Sequence, residues 1–201
     1  MNRKSLLISC ILYFASASIT ASAQKGVEYV LPAASFDEAA TSKLLEPGTA
    51  TIRGNASLKK KGKVNFAAKG HNIILFPVTP YFTEFVELKK KYNSRKKQAT
   101  MTNDAFTYRI EGRYLDDQGN FEFTELKPGR YYLVTWIEYE RKKNMVLRTG
   151  TRTFYNVYSG NEVGSEPIYN AYSYHYKAED EVAGFVEVNK EGEVVNTVIS
   201  N

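Results

Sequence analysis

The stretch Asp116–Trp136, reading DDQGNFEFTELKPGRYYLVTW, limits what the whole chain can fold into, because it holds two alternating runs with a turn signal in front of each. Asp117-Gln118-Gly119-Asn120 supplies side-chain acceptors and a glycine for one turn, and Pro128-Gly129 pre-sets another. Between them Phe121 and Phe123 share one face while Glu122 and Thr124 share the other, which is the period of a half-buried strand. From Tyr131 onward, Tyr131, Leu133, Thr135 and Ile137 alternate with Tyr132, Val134, Trp136 and Glu138. Both faces are then partly apolar, and such a strand belongs inside a sheet. The stretch reads as two antiparallel strands, with Phe121, Phe123, Leu126 and Tyr131 as core.

The flanks carry the same kind of signal. Thr49–Leu58 alternates weakly around Ile52, Gly54 and Ala56 as a first strand, and Asn72–Val78 is a continuous apolar run that fits a buried strand ending near Pro77. Thr79-Pro80 is a cap followed by a first helical residue, and Tyr81, Phe85, Leu88 and Tyr92 recur at helical spacing, predicting a helix over Pro80–Tyr92 packed on the sheet. Phe106–Leu115 reads as a further strand. Nearer the start, Val27–Leu31 is a short strand and Ser35-Phe36-Asp37-Glu38 a capping box, opening a short helix over Phe36–Leu45 that Pro47-Gly48 ends. Downstream, Arg141–Arg148 reads as a polar turn region, and Thr151–Tyr158 and Ile168–Tyr176 as strands around the Gly160–Pro167 loop. Glu179-Asp180-Glu181 reads as an acidic turn, and Ala183–Val188 with Val194–Ile199 as a closing hairpin around Lys190-Glu191-Gly192. The expected fold is all-β: an antiparallel sandwich of about seven strands with one inserted helix and a short N-terminal helix.

Asn2-Arg3-Lys4, the apolar Leu6–Ile19 and Ala21-Ser22-Ala23 have the layout of a secretory signal peptide with cleavage after Ala23. The apolar run is too short and too rich in Ser and Ala for a span of about 20 residues, and no later segment comes close. Leu7-Ile8-Ser9-Cys10 offers an alternative, a lipoprotein box that would anchor the chain through Cys10. The division is then residues 1–23 as leader, 24–49 as an approach segment, and 50–200 as one sandwich domain. Within that domain 50–140 is the core, 141–182 a tyrosine-rich elaboration and 183–200 the closing hairpin. Cleavage removes the one cysteine, so neither a disulfide framework nor a thiolate site is available. The formal charge of +5 drops by two when Arg3 and Lys4 leave. An exported chain, periplasmic or at the cell surface or secreted, rarely meets nucleic acid, so the mild basic excess points to no such partner.

Residue types for chemistry are sparse. His71 and His175 stand far apart, each without a His or Cys at metal-ligand spacing, and there is no phosphate loop or nucleophile elbow. No catalytic, metal or cofactor-binding set is predicted. Asp116-Asp117-Gln118-Gly119 lacks the alternating ligands and distant Glu of a calcium loop and is explained by a turn. Glu179, Asp180 and Glu181 lack a fixed partner for glycoside hydrolysis and suit a solvated loop. The run Lys59-Lys60-Lys61-Gly62-Lys63 is a solvated loop that becomes a polyanion or lipid-headgroup site only if basic residues from elsewhere support it. Aromatic faces at Tyr132, Trp136, Tyr172, Tyr174 and Tyr176 are the candidate binding residues, able to stack on sugar rings or anchor a protein, and otherwise able to fill a core. By period Tyr172, Tyr174 and Tyr176 share one face. A stacking platform requires them to be exposed and coplanar with Trp136.

Three pieces resemble the carboxypeptidase regulatory-like domain, a transthyretin-like β-sandwich. Ile52-Arg53-Gly54-Asn55-Ala56 looks like its opening strand, and Ile74-Leu75-Phe76-Pro77-Val78-Thr79-Pro80-Tyr81 is similar to its V-x-L-x-P-x-T-x-Y run. Asp117-x-Gly119-x-Phe121-x-Phe123 leading to Leu126-x-Pro128-Gly129-x-Tyr131 is similar to its third motif, with one residue fewer between Asp and Gly. The resemblance covers about residues 50–140. It implies a non-catalytic accessory module of the cell envelope, with a protein or glycan partner. The expected function is that of an exported interaction or structural module. The alternatives are a carbohydrate-binding protein using the Tyr/Trp platform, and a hydrolase with an unrecognised site. Oligomeric state is not encoded in any of these features.

Overall fold

A computed structural model describes residues 26–201, so the leader expectations, Cys10 included, fall outside the described residues. In chain order the elements are β1 (Glu28–Val30), α1 (Glu38–Leu44), β2 (Ala50–Lys60), β3 (Lys63–Asn65), β4 (Asn72–Pro77), α2 (Pro80–Lys91), β5 (Lys97–Ala99), α3 (Asn103–Thr107), β6 (Ile110–Arg113), β7 (Asn120–Leu126), β8 (Gly129–Tyr155), β9 (Glu162–Val188) and β10 (Val194–Ser200). One sheet is built around β2, with β10 parallel on one side and β7, then β3, antiparallel on the other. The second sheet, in the order β6-β4-β8-β9, is antiparallel throughout. The main core lies between them, with Ile52, Phe121 and Phe123 from the first sheet meeting Leu75, Leu133 and Val182 from the second. This is the all-β sandwich the alternation predicts.

A third layer explains the continuous apolar run in β4. Ile73 and Leu75 face the sandwich core, whereas Phe76 joins Tyr132 and Val134 in a second core under α2, against Phe82, Phe85 and Val86. Thr79 caps α2 by accepting from the Phe82 amide at 3.3 Å, and Pro80 takes a first-turn position where no donor is missed. Near the start of the domain, α1 is capped by Asp37, which accepts from the Ala40 amide at 2.9 Å; the expected Ser35 box does not form. Within the expected strand Phe106–Leu115, only Ile110–Arg113 is extended. Thr102 caps the short α3 just before it, satisfying the Ala105 amide with its hydroxyl.

Two expected hairpins are corners between sheets. β7 pairs with β2, while β8 pairs with β4 and β9, so Asp116–Trp136 contributes one strand to each side of the sandwich. Glu125 takes a left-handed φ of 58°, Pro128 has no amide to extend a ladder, and the Tyr131 hydroxyl donates to the Lys127 carbonyl at 2.7 Å, tying the corner down. The expected core residues Phe121, Phe123, Leu126 and Tyr131 are all buried. Likewise Val188 ends in one sheet and Val194 begins in the other. The Glu193 carboxylate accepts from the Asn189 and Lys190 amides to form that second corner.

The largest departure is at residues 141–182. The expected turns at Arg141–Arg148 and Glu179–Glu181 do not occur, and β8 and β9 run as one continuous hairpin of 27 residues per strand. Asp180 and Glu181 form no turn and instead meet Lys60 at 2.7 Å and Lys89 at 2.6 Å. Beyond Glu140 the two strands leave the sandwich as a ribbon that reaches roughly 50 Å at a rise of about 3.3 Å per residue. Nearly all its side chains are exposed.

Candidate functional site

The site begins where strand lengths fail to match. β4 pairs with β8 only as far as Ile74 opposite Val134, and the Thr135 hydroxyl donates to the Asn72 carbonyl at 3.0 Å to finish the seam. Past that point the edge of β8 is flanked by the Asn65–His71 connection instead of a strand. The gap is a chamber of about 410 Å³, lined by Trp136, Phe66, His71, Glu138, Glu140 and Lys177 among others. Trp136 is 41 % exposed and Phe66 is also exposed, so apolar rings border a polar floor. A second chamber of about 580 Å³ adjoins the first at the root of the ribbon, sharing Asn65, Tyr139 and Glu140 with it.

The polar groups of the first chamber are organised across the β8–β9 ladder. Glu138 lies opposite Glu179, two rungs from Lys177 on the same face, and its carboxylate accepts from the Lys177 ammonium at 2.7 Å. That bond and the Lys177 charge hold Glu138 below the usual carboxylate range and raise Lys177. Glu138 is therefore ionised at neutral pH and can only accept hydrogen bonds. Glu140 and His175 Nδ1 sit 3.0 Å apart on the same side. Rings beside acceptors and an ammonium donor suit a ligand with apolar faces and many hydroxyls.

The five aromatic candidates are not one surface. Tyr132 and Trp136 share a face of β8, yet Tyr132 is 8 % exposed, wedged between Phe82 at 5.5 Å and Phe185 at 4.9 Å. Burial pushes its hydroxyl up to about 12. It belongs to the core under α2 and offers no stacking face. Trp136 escapes because it lies opposite Glu181, where Lys89 marks the last turn of that helix. Tyr172, Tyr174 and Tyr176 are exposed, but they oppose Met145, Lys143 and Arg141, on the face of the ladder away from Trp136. The Tyr174 and Tyr176 rings are tilted by 43°, so no plane coplanar with Trp136 exists.

Sequence reasoning missed Phe66 and the partnership of His71 with Glu138, Glu140 and Lys177. The signal was present in Trp136-x-Glu138-x-Glu140, which places a ring and two carboxylates on one strand face. The turn at Asp116-Asp117 is fully occupied by the fold: Asp116 accepts from Gln118, Asn120 and the Asn120 carboxamide, and Asp117 from the Lys69 amide at 2.7 Å. Those bonds depress the Asp116 carboxyl. Among the described residues no group of three or more His, Cys, Asp or Glu could hold a metal ion. No helix among them is long and apolar enough to cross a membrane.

No family model matches the chain, and no curated protein matches it by sequence. Among solved structures it is similar to a crystal structure from Pseudomonas aeruginosa described as a "putative carbohydrate binding protein". The TM-score is 0.53 at 17 % identity, covering 86 % of this chain and all of that one. The likeness is one of fold.

Proposed function

We propose that this chain is an exported, non-catalytic sandwich that binds carbohydrate in the groove at the ribbon root. The observation that carries the reading is Trp136, a half-exposed ring on the wall of a chamber that also presents His71, Glu138 and Lys177. A pyranose has an apolar face for the ring and hydroxyls for the carboxylate and ammonium. The shared fold with a protein described as carbohydrate-binding supports it, and the Asp117–Tyr131 motif supports placing the sandwich among the carboxypeptidase regulatory-like modules. Turnover is not expected: a glycosidase acid must be protonated, and Glu138 is held ionised by Lys177. His71 with Glu138 and Glu140 in one chamber is the feature that favours a hydrolase, and release of new reducing ends from a bound saccharide would establish one.

The test is titration of residues 24–201 against a broad saccharide panel. Wild-type protein should bind at least one class, and Trp136→Ala should weaken that binding about tenfold, the scale of one central aromatic contact. Absence of binding to every saccharide, or unchanged affinity in the variant, refutes the reading. A protein partner is the second reading, favoured by Val146, Tyr155, Val157 and Tyr158 standing exposed on the ribbon. Export is tested by mass spectrometry of the mature N-terminus: a start at Gln24 is expected, and a lipidated Cys10 excludes that cleavage.

A further inference from the structure

The lysine run Lys59–Lys63 plays no part in the saccharide reading, yet the fold brings it to the chamber that adjoins the Trp136 site. Lys61 and Gly62 have φ of 50° and 81°, the left-handed pair that a two-residue hairpin turn demands, and this turn joins β2 to β3. It delivers Lys60, Lys61 and Lys63 to the second chamber, where Arg141 from β8 faces them. The supporting basic residue that an isolated run lacks is therefore supplied by another strand. Tyr139 gives the chamber an aromatic wall, with the Lys60 ammonium 5.9 Å from its ring centre.

Two carboxylates also line this chamber, Asp180 and Glu140. Asp180 is taken by Lys60 at 2.7 Å, and Glu140 is directed to His175. Lys61, Lys63 and Arg141 have no carboxylate partner among the described residues. Lys60, Lys61, Lys63 and Arg141 outnumber the two carboxylates of this concave, aromatic-walled space, and the positive excess attracts an anion that can enter it. A flat lipid surface would need those cations on a convex rim. Tyr139 and Arg141 face the opposite side of the ladder from Trp136, and the chambers meet at Asn65, Tyr139 and Glu140 on the unpaired edge of β8, so a chain-like ligand reaches both by passing around that edge.

We propose that the ligand is an acidic polysaccharide, with its carboxylate or sulfate groups in the lysine chamber while a neighbouring sugar ring stacks on Trp136. The proposal rests on the saccharide reading and adds the charge of the ligand and the residues that read it. Lys61, Lys63 and Arg141 select the anion, and Trp136 supplies the contact that neutral and acidic sugars share.

The experiment titrates residues 24–201 with uronic-acid and sulfated oligosaccharides, each paired with its methyl-esterified or desulfated counterpart, at low and at high salt. The acidic member of a pair should bind at least tenfold tighter at low salt, and the advantage should shrink as salt screens the lysines. Lys61→Glu with Lys63→Glu should remove at least a tenfold affinity for the acidic member while leaving the neutral one within threefold. A matched reversal at Lys90 and Lys96, which are exposed and outside the groove, should change neither. Circular dichroism melts of both double variants confirm folding. Equal binding of acidic and neutral members, or equal damage by the two reversals, overturns this proposal and leaves the saccharide reading standing. Preferential capture of phosphatidylglycerol vesicles through Lys61 and Lys63 overturns it in favour of a lipid headgroup. No binding to any saccharide overturns both readings together.

Discussion

Cutting the ribbon short separates the groove from Tyr172 and the distal ribbon while Tyr174 and Tyr176 stay in place. The perturbation joins Lys143 to Tyr174 through Asn-Gly, deleting residues 144–173 and restoring a tight turn. No deleted residue belongs to either core: the buried part of β8 runs from Tyr131 to Ile137 and that of β9 from Val182 to Val188. The lost burial free energy is therefore near zero, and an isolated two-stranded ribbon is marginal in water at best. The entropy of the connection favours the cut form. Shortening the segment beyond Arg141 and Tyr176 from about 34 residues to about six gains at most ~1.5 kcal/mol by the (3/2)RT ln n rule. The melting midpoint should be unchanged or up to about 6 °C higher, at about 2–4 °C per kcal/mol for a domain of this size. Calorimetry measures it, and saccharide titration provides the second readout. Trp136, His71, Lys61, Lys63 and Arg141 all remain, so affinity should stay within about threefold. A midpoint lowered by more than 10 °C would show that the ribbon packs on something in the fold. Collapse of binding with the fold intact would put the site on the deleted residues 144–173, Tyr172 among them.

The fold itself makes sharper demands at single positions. A Cβ at Gly54 would lie 2.4 Å from the Phe121 ring and 2.8 Å from the Thr197 carbonyl, so Gly54→Ala should cost about 1–3 kcal/mol in denaturant unfolding; a neutral result would mean β10 can move away. The Tyr114 hydroxyl is buried without a well-formed hydrogen bond; burial pushes its pKa up, and Thr135, already donating to Asn72, only partly offsets this. Tyr114→Phe should leave stability unchanged or up to ~1 kcal/mol higher, and a loss above that would reveal a partner for the hydroxyl. Glu84 on α2 accepts from the Ala33 and Ala34 amides at 2.9 and 2.8 Å, which lowers its carboxyl. A lowered carboxyl contributes stability that is complete above its unfolded value of about 4.3 and is lost as pH falls through the folded one. Protection of those two amides, taken relative to intrinsic exchange at each pH, should fall in acid and in Glu84→Ala at any pH; protection that survives both would assign the anchoring of the N-terminal segment elsewhere.

How much of this was legible depends on what each signal measures. Alternation in Phe121–Phe123 and Tyr131–Ile137 located strands and core, because one buried face imposes a period of two. It said nothing about which strand each would pair with, and Pro128-Gly129 serves a corner between sheets as readily as a hairpin. The ribbon was invisible for the opposite reason. A strand exposed on both faces has no period to impose, so Arg141–Arg148 has the composition of a loop while being paired rung by rung with Tyr169–Tyr176.

The site follows from a quantity that composition cannot express, the difference in length between neighbouring strands. β4 has six residues and β8 has 27, so β8 necessarily presents an unpaired edge beyond Val134. An unpaired edge is a hazard for a sheet, since its amides and carbonyls invite another strand. Here the Asn65–His71 connection runs alongside that edge without pairing to it, which leaves a gap too irregular for a strand and wide enough for a small ligand. Period two put Tyr132 and Trp136 on the same face with equal claims as binding residues. The end of α2 divides them, covering Tyr132 and leaving Trp136 at the gap, and the turn at Lys61-Gly62 then fixes which charges stand beside it. In the proposed reading, ligand recognition depends on where three elements end, at Asn72, Lys91 and Lys60, more than on any motif they contain.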